Sequence, residues 1–60
     1  MEKELAKQFV GVPVRISLGK ELFVPPPGTI ETVGDDYFIF KTAEKTSVLS
    51  LSELKQINPV

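Results

Sequence analysis

Gly28-Thr29-Ile30-Glu31-Thr32-Val33-Gly34-Asp35-Asp36-Tyr37-Phe38-Ile39-Phe40 is the stretch on which the fold of this chain turns. Thr, Ile, Val, Tyr and Phe suit the half-buried surface of a pleated strand. Gly34-Asp35-Asp36 suits a tight turn, because Gly and Asp tolerate the backbone angles that turns need. The segment therefore predicts a strand over Thr29–Val33, a turn, and a strand over Tyr37–Phe40. Successive side chains on a strand point to opposite faces. Phe38 and Phe40 share one face, which we assign to the core. Tyr37 and Ile39 share the other, where Tyr37 is the candidate for an exposed contact.

Working outward, Val12, Val14, Ile16 and Leu18 alternate with Pro13, Arg15 and Ser17. This period of two predicts a strand with its valine, isoleucine and leucine face buried and Arg15 and Ser17 exposed. Gly19-Lys20 reads as a turn. Leu22-Phe23-Val24 has strand character, cut short by Pro25-Pro26-Pro27-Gly28. Three prolines favour an extended path and cannot support a central ladder, so they predict a rigid loop, with a partner-docking surface as the functional alternative. Thr42–Lys45 is a polar turn, and Thr46–Leu51 is the next strand. Ser52-Glu53-Leu54 reads as one helical turn capped by Ser52. Lys55–Ile57 reads as a short final strand that Pro59 ends.

Before the first strand, residues 2–9 are rich in helix formers. Leu5 and Phe9 lie four apart on one helical face, and Gly11 marks a stop. A helix this short is unstable alone, so it must dock, and Leu5 and Phe9 are the expected anchors. The whole chain, 1–60, reads as a single mainly β domain. A short helix covers about 2–9 and a small five-stranded barrel about 11–58.

Sixty residues bury only about 60% of their unfolded surface. Domains this small commonly add disulfides, a metal or oligomerisation. There is no cysteine and no histidine, so disulfides, the usual zinc ligands and the common nucleophile–base pairings are missing. That points to oligomerisation, to no cofactor or metal, and away from an enzyme. Asp35 and Asp36 are read as turn formers, and Glu31 as a solvated strand residue. Seven basic residues against eight acidic ones give a net charge of −1, without the basic excess usual in a dedicated nucleic-acid binder. No apolar run approaches the roughly 20 residues of a membrane span. The expected location is cytoplasmic.

The order of these pieces resembles the Sm-like (Hfq-like) family of small β-barrels, including small barrel proteins of Gram-positive bacteria. The residues that carry the likeness are the Val-x-Ile-x-Leu strand after a helix, then Gly28, Ile30, Glu31 and Val33. The acidic turn and strand Asp35–Phe40 and the ending Leu51–Pro59 complete it. The resemblance implies an SH3-like barrel assembled into a homo-oligomeric ring, with its fourth strand paired to the fifth strand of the next subunit. Val48, Leu49, Leu51, Lys55 and Ile57 would then form the interface, along Ser47–Leu51 and Lys55–Ile57. It also implies RNA binding, for which Lys3, Lys7, Gln8, Arg15 and Tyr37 are the candidate contacts. The chain departs from the family at Leu49-Ser50-Leu51-Ser52, where Hfq-like rings carry a Tyr-Lys-His motif that grips RNA. The alternative function is a structural or protein-interaction module without nucleic acid, docking through Pro25, Pro26 and Pro27.

Overall fold

The computed structural model describes residues 1–19 and 23–60. The expected strand character at Leu22 and the Lys20 half of the Gly19-Lys20 turn lie outside the described residues. The protein is mainly β: helix α1 (Lys3–Lys7) is followed by β1 (Pro13–Leu18), β2 (Gly28–Val33), β3 (Tyr37–Lys41) and β4 (Thr46–Ser50). A single 3-10 turn, Leu51–Glu53, leads into β5 (Leu54–Pro59). All five strands join one antiparallel sheet in the order β4-β3-β2-β1-β5. β4 and β5 are its two edges. The mainly β, five-stranded fold with a short N-terminal helix expected from the sequence is the fold found.

Register follows the apolar pattern. Ile30 lies opposite Phe40, and Val33 opposite Phe38. Phe38 in turn faces Leu49 across β4. Ile30, Val33, Phe38 and Phe40 make the core with Val14, Ile16, Leu51, Leu54 and Ala6, Leu49 packs against it, and Phe38 is fully buried. The pairing of β2 and β3 slips between Ile30 and Thr32, which leaves Glu31 as the extra residue. Such a bulge bends and twists a strand, and it lets β2 serve both β1 and β3. Two glycines are fixed by close approach. A Cβ on Gly28 would overlap the Lys41 carbonyl, and a Cβ on Gly34 would overlap the Tyr37 ring.

The sequence misplaces several details. Leu5 is 45% exposed, and Ala6 is the fully buried helix residue. α1 spans only five residues, and Ala6 is the residue it buries where it meets β2. Phe9 packs on the core as expected, together with Met1. Val12 is exposed, because the strand begins one residue later at Pro13. Ser17 is buried, because it sits where the β1–β5 ladder slips between Ser17 and Leu18 and simple alternation fails. Leu51 leaves the edge strand and opens the 3-10 turn, where it is buried. Ser52 lies inside that turn; the cap position is Ser50, which makes no side-chain cap bond. β5 runs through Pro59, longer than Lys55–Ile57. An edge strand tolerates a proline there.

A domain of this size has a stability of about 3–9 kcal/mol at roughly 0.05–0.15 kcal/mol per residue. Truncating a buried Phe costs about 3–5 kcal/mol. Phe38→Ala is therefore expected to lower the stability by about 3–5 kcal/mol, a third or more of the total, whereas Leu5→Ala stays within about 0.5 kcal/mol of the parent. Urea denaturation followed by circular dichroism checks both. Equal losses would show that Leu5 anchors the helix after all.

Candidate functional site

Two surfaces stand out, and both flank β4. The strand Thr46-Ser47-Val48-Leu49-Ser50 pairs with β3 over five residues without a slip. It contains no charge and no proline. Edge strands are usually blunted by Lys, Pro or a bulge, since their bare N–H and C=O groups invite pairing. β4 has none of these devices. β5, the other edge, carries Lys55 and Pro59 and a bulge at Lys55.

Val48 points outward from β4 and is 69% exposed. It stands opposite Ile39, which is half-buried, and Tyr37 is on the same outer face of β3. Ser47 and Leu49 point inward. Leu49 on β4 and Ile57 on β5 both pack against the core while only half-buried. Ile57 lies opposite Ile16, which fixes it to the inner face. The core thus runs out of cover at each edge of the sheet.

Inside β4 lies a groove of about 270 Å³, lined among the described residues by Leu18, Phe23, Pro25, Pro26, Phe40 and Leu49. Its rim carries Glu44 and Lys45. Phe23 is held there by two 2.7 Å backbone hydrogen bonds with Leu18, each residue donating its N–H to the other's carbonyl. The residue remains 64% exposed. Pro25 is half-buried, and Pro26 and Pro27 are exposed. At the opposite end of β4 a polar recess is lined by Asp35, Asp36, Ser50 and Ser52.

The candidate RNA contacts come from three elements: Lys3 and Lys7 lie on α1 with Gln8 at its end, Arg15 on β1 and Tyr37 on β3. Lys3 donates from Nζ to Asp35 Oδ1 at 2.6 Å. That pair ties α1 to the β2–β3 turn, and it raises the Lys3 pKa and lowers that of Asp35 through the hydrogen bond first and charge attraction second. Lys7 lies 3.9 Å from Glu4, one turn back. Gln8 is exposed at the helix end. Arg15 is exposed on β1 opposite Asn58. Tyr37 is 40% exposed. No group of three or more metal-ligating side chains occurs among the described residues. The seam candidates Val48, Leu49, Lys55 and Ile57 do lie on the two sheet edges, and Leu51 lies in the core.

The groove and the Lys3–Asp35 pair join residues far apart in sequence, so no local pattern could have announced them. The bare edge was legible: an uncharged, proline-free strand between two polar turns. Comparison with protein-family models, with curated proteins and with solved structures gives no significant match.

The Lys3–Asp35 pair is surface-exposed, so its contribution is small and salt-sensitive. Asp35 has a lowered folded pKa, so its contribution is present above the ordinary value of 3.8 and disappears as pH falls through the folded value. Lys3 has a raised folded pKa, so its contribution is present below 10.5 and is lost as pH rises through the folded value. Asp35→Asn should therefore lower the melting temperature slightly at pH 7 and not at pH 2. High salt should shrink the difference at pH 7. A difference that persists unchanged at pH 2 would assign the effect to something other than this ion pair.

Proposed function

We propose that this chain is an Sm-like, non-enzymatic assembly protein. It works as a homo-oligomeric ring in which the β4 edge of one copy pairs with the β5 edge of the next. The observation that carries this reading is the bare β4 edge, with half-covered core residues at both ends of the sheet. A ring built head to tail uses both edges of every copy and leaves none free. It also covers Leu49 and Ile57, and so adds apolar burial to a domain too small to bury enough by itself. The absence of Cys and His from the sequence supports a non-enzymatic role. Pairing strands through the edges needs no charge excess, which agrees with a net charge of −1.

RNA binding is the second reading, supported by the exposed Tyr37 ring, since exposed aromatic side chains stack on bases. Lys3 opposes it, being engaged by Asp35. Lys7, Gln8 and Arg15 would supply phosphate contacts, which position a strand without reading its sequence.

Native mass spectrometry with and without short A-rich and U-rich RNAs tests both. The expected result is a closed oligomer, converted to monomer by Val48→Lys, because Lys on a free edge blocks pairing. Val48 is exposed in the monomer, so the variant should keep the parent circular dichroism spectrum. A parent that stays monomeric at all concentrations would remove the ring. RNA bound to the oligomer, with affinity falling steeply as salt rises, would establish the second reading. An oligomer that carries no RNA would leave assembly alone.

A further inference from the structure

We infer that the groove inside β4 binds a free α-amino acid with a large apolar side chain. The side chain lies against Phe23, Pro25 and Phe40, the α-ammonium meets Glu44, and the α-carboxylate meets Lys45. All of these residues line the groove of a single copy, so the inference does not rest on assembly.

The floor selects an apolar group of modest size. Small-molecule sites are apolar clefts of about 300–1,000 Å³ with a few convergent polar groups. This groove, at about 270 Å³, lies just below that range, which suits a ligand the size of one amino acid. Its walls are fixed in advance. Phe23 is pinned by its paired hydrogen bonds with Leu18 and still 64% exposed. Pro25 and Pro26 have a fixed φ and no N–H, so they add apolar surface without an unsatisfied donor. Phe40 is 2% exposed and held by the core. Walls that are already ordered lose little freedom on binding. An aromatic ligand gains most, because its ring can pack offset or edge-on against Phe23.

The rim selects the charges. The Thr42–Lys45 turn satisfies its own polar groups: the Thr42 N–H donates to the Lys45 carbonyl at 2.8 Å, and the Glu44 and Lys45 N–H groups each donate to Thr42 Oγ1 at 3.3 Å. The turn therefore holds Glu44 and Lys45 side by side, and neither forms an ion pair among the described residues. Ser47, inward on β4, adds a hydroxyl to the lining at the same end. A fatty acid would answer Lys45 and be repelled by Glu44; an alkylamine would do the reverse. A peptide interior offers neither charge, and a peptide end only one. A free amino acid carries both on one carbon, with its apolar side chain attached there, which is the arrangement complementary to this rim and floor.

Both rim charges are exposed, so binding is weak, on the order of 1 mM. Residue-resolved NMR titration of the parent with L-phenylalanine tests it, beside N-acetyl-L-phenylalanine, which lacks the ammonium, L-phenylalaninamide, which lacks the carboxylate, and decanoate. The expected result is saturable shifts at Phe23, Thr42–Lys45 and Leu49 with L-phenylalanine, and about tenfold weaker binding of the other three. Lys45→Glu should reverse the preference toward L-phenylalaninamide, and Glu44→Lys toward N-acetyl-L-phenylalanine; both positions are exposed turn sites, so the fold is kept. Val48→Lys, which points away from the groove, should bind as the parent does, so a failure to bind and a failure to assemble are read separately. No saturable shift in the millimolar range would overturn the inference. Equal binding of all four compounds, or tighter binding of decanoate, would overturn it by assigning the groove to apolar groups in general. Preferences unchanged by the two charge reversals would overturn it as well.

Discussion

Phe38 and Phe40 occupy the inner face of β3, and the rest of the sheet is laid down around them. Ile30 and Val33 meet them from β2, and Leu49 meets Phe38 from β4. Gly28 has no side chain because a Cβ there would press on the Phe40 ring and the Lys41 carbonyl. The Glu31 bulge turns β2 so that its first residues reach β1 while its later ones stay on β3. A one-residue slip of β3 would replace both Phe side chains in the core with Tyr37 and Ile39, so its register is tightly specified.

Two aromatic residues and a handful of aliphatics cannot cover themselves in a chain of sixty. The sheet ends at β4 and β5 with Leu49 and Ile57 half-buried, and β4 has none of the features that normally discourage pairing. A core left open at the sheet edges and a bare backbone ladder arise from the same shortage of chain. Adding a strand at β4 relieves both at once: it satisfies the free backbone groups and caps the apolar groove. That coincidence is the physical case for assembly as the function.

Much of the fold was legible because it is written in period two. The alternation over residues 12–18 and the Phe38/Phe40 pair placed their strands to within a residue. What escaped was non-local. Leu5 has the right spacing for an anchor, yet Ala6 is the helix residue that becomes buried, and which face of so short a helix docks is decided by contacts distant in sequence. Ser17 follows a polar alternation that the β1–β5 bulge overrides, and bulges leave no mark in a hydrophobic pattern. Leu51 continues the inward apolar rhythm of Leu49 but leaves the strand for the 3-10 turn, where it is buried. The edge of the candidate site was readable at Val48 and Leu49. Its groove was not, because Phe23 and Pro25 reach it across the sheet from a different loop. Pro25 and Pro26 were singled out as a docking loop on composition alone, and they line that groove beside Leu49.

The central claim is that the backbone of β4 is unpaired on one side in the single chain and becomes paired in the assembly. Amide hydrogen exchange, resolved by residue over Thr46–Ser50 and followed against protein concentration, measures this directly. The account predicts fast exchange at the outward-facing amides of β4 in dilute protein and slow exchange once the chain assembles, with the Phe38 and Phe40 amides of β3 little changed. Exchange in β4 that is independent of concentration, in a protein shown to be oligomeric, would mean that copies meet elsewhere and would contradict it.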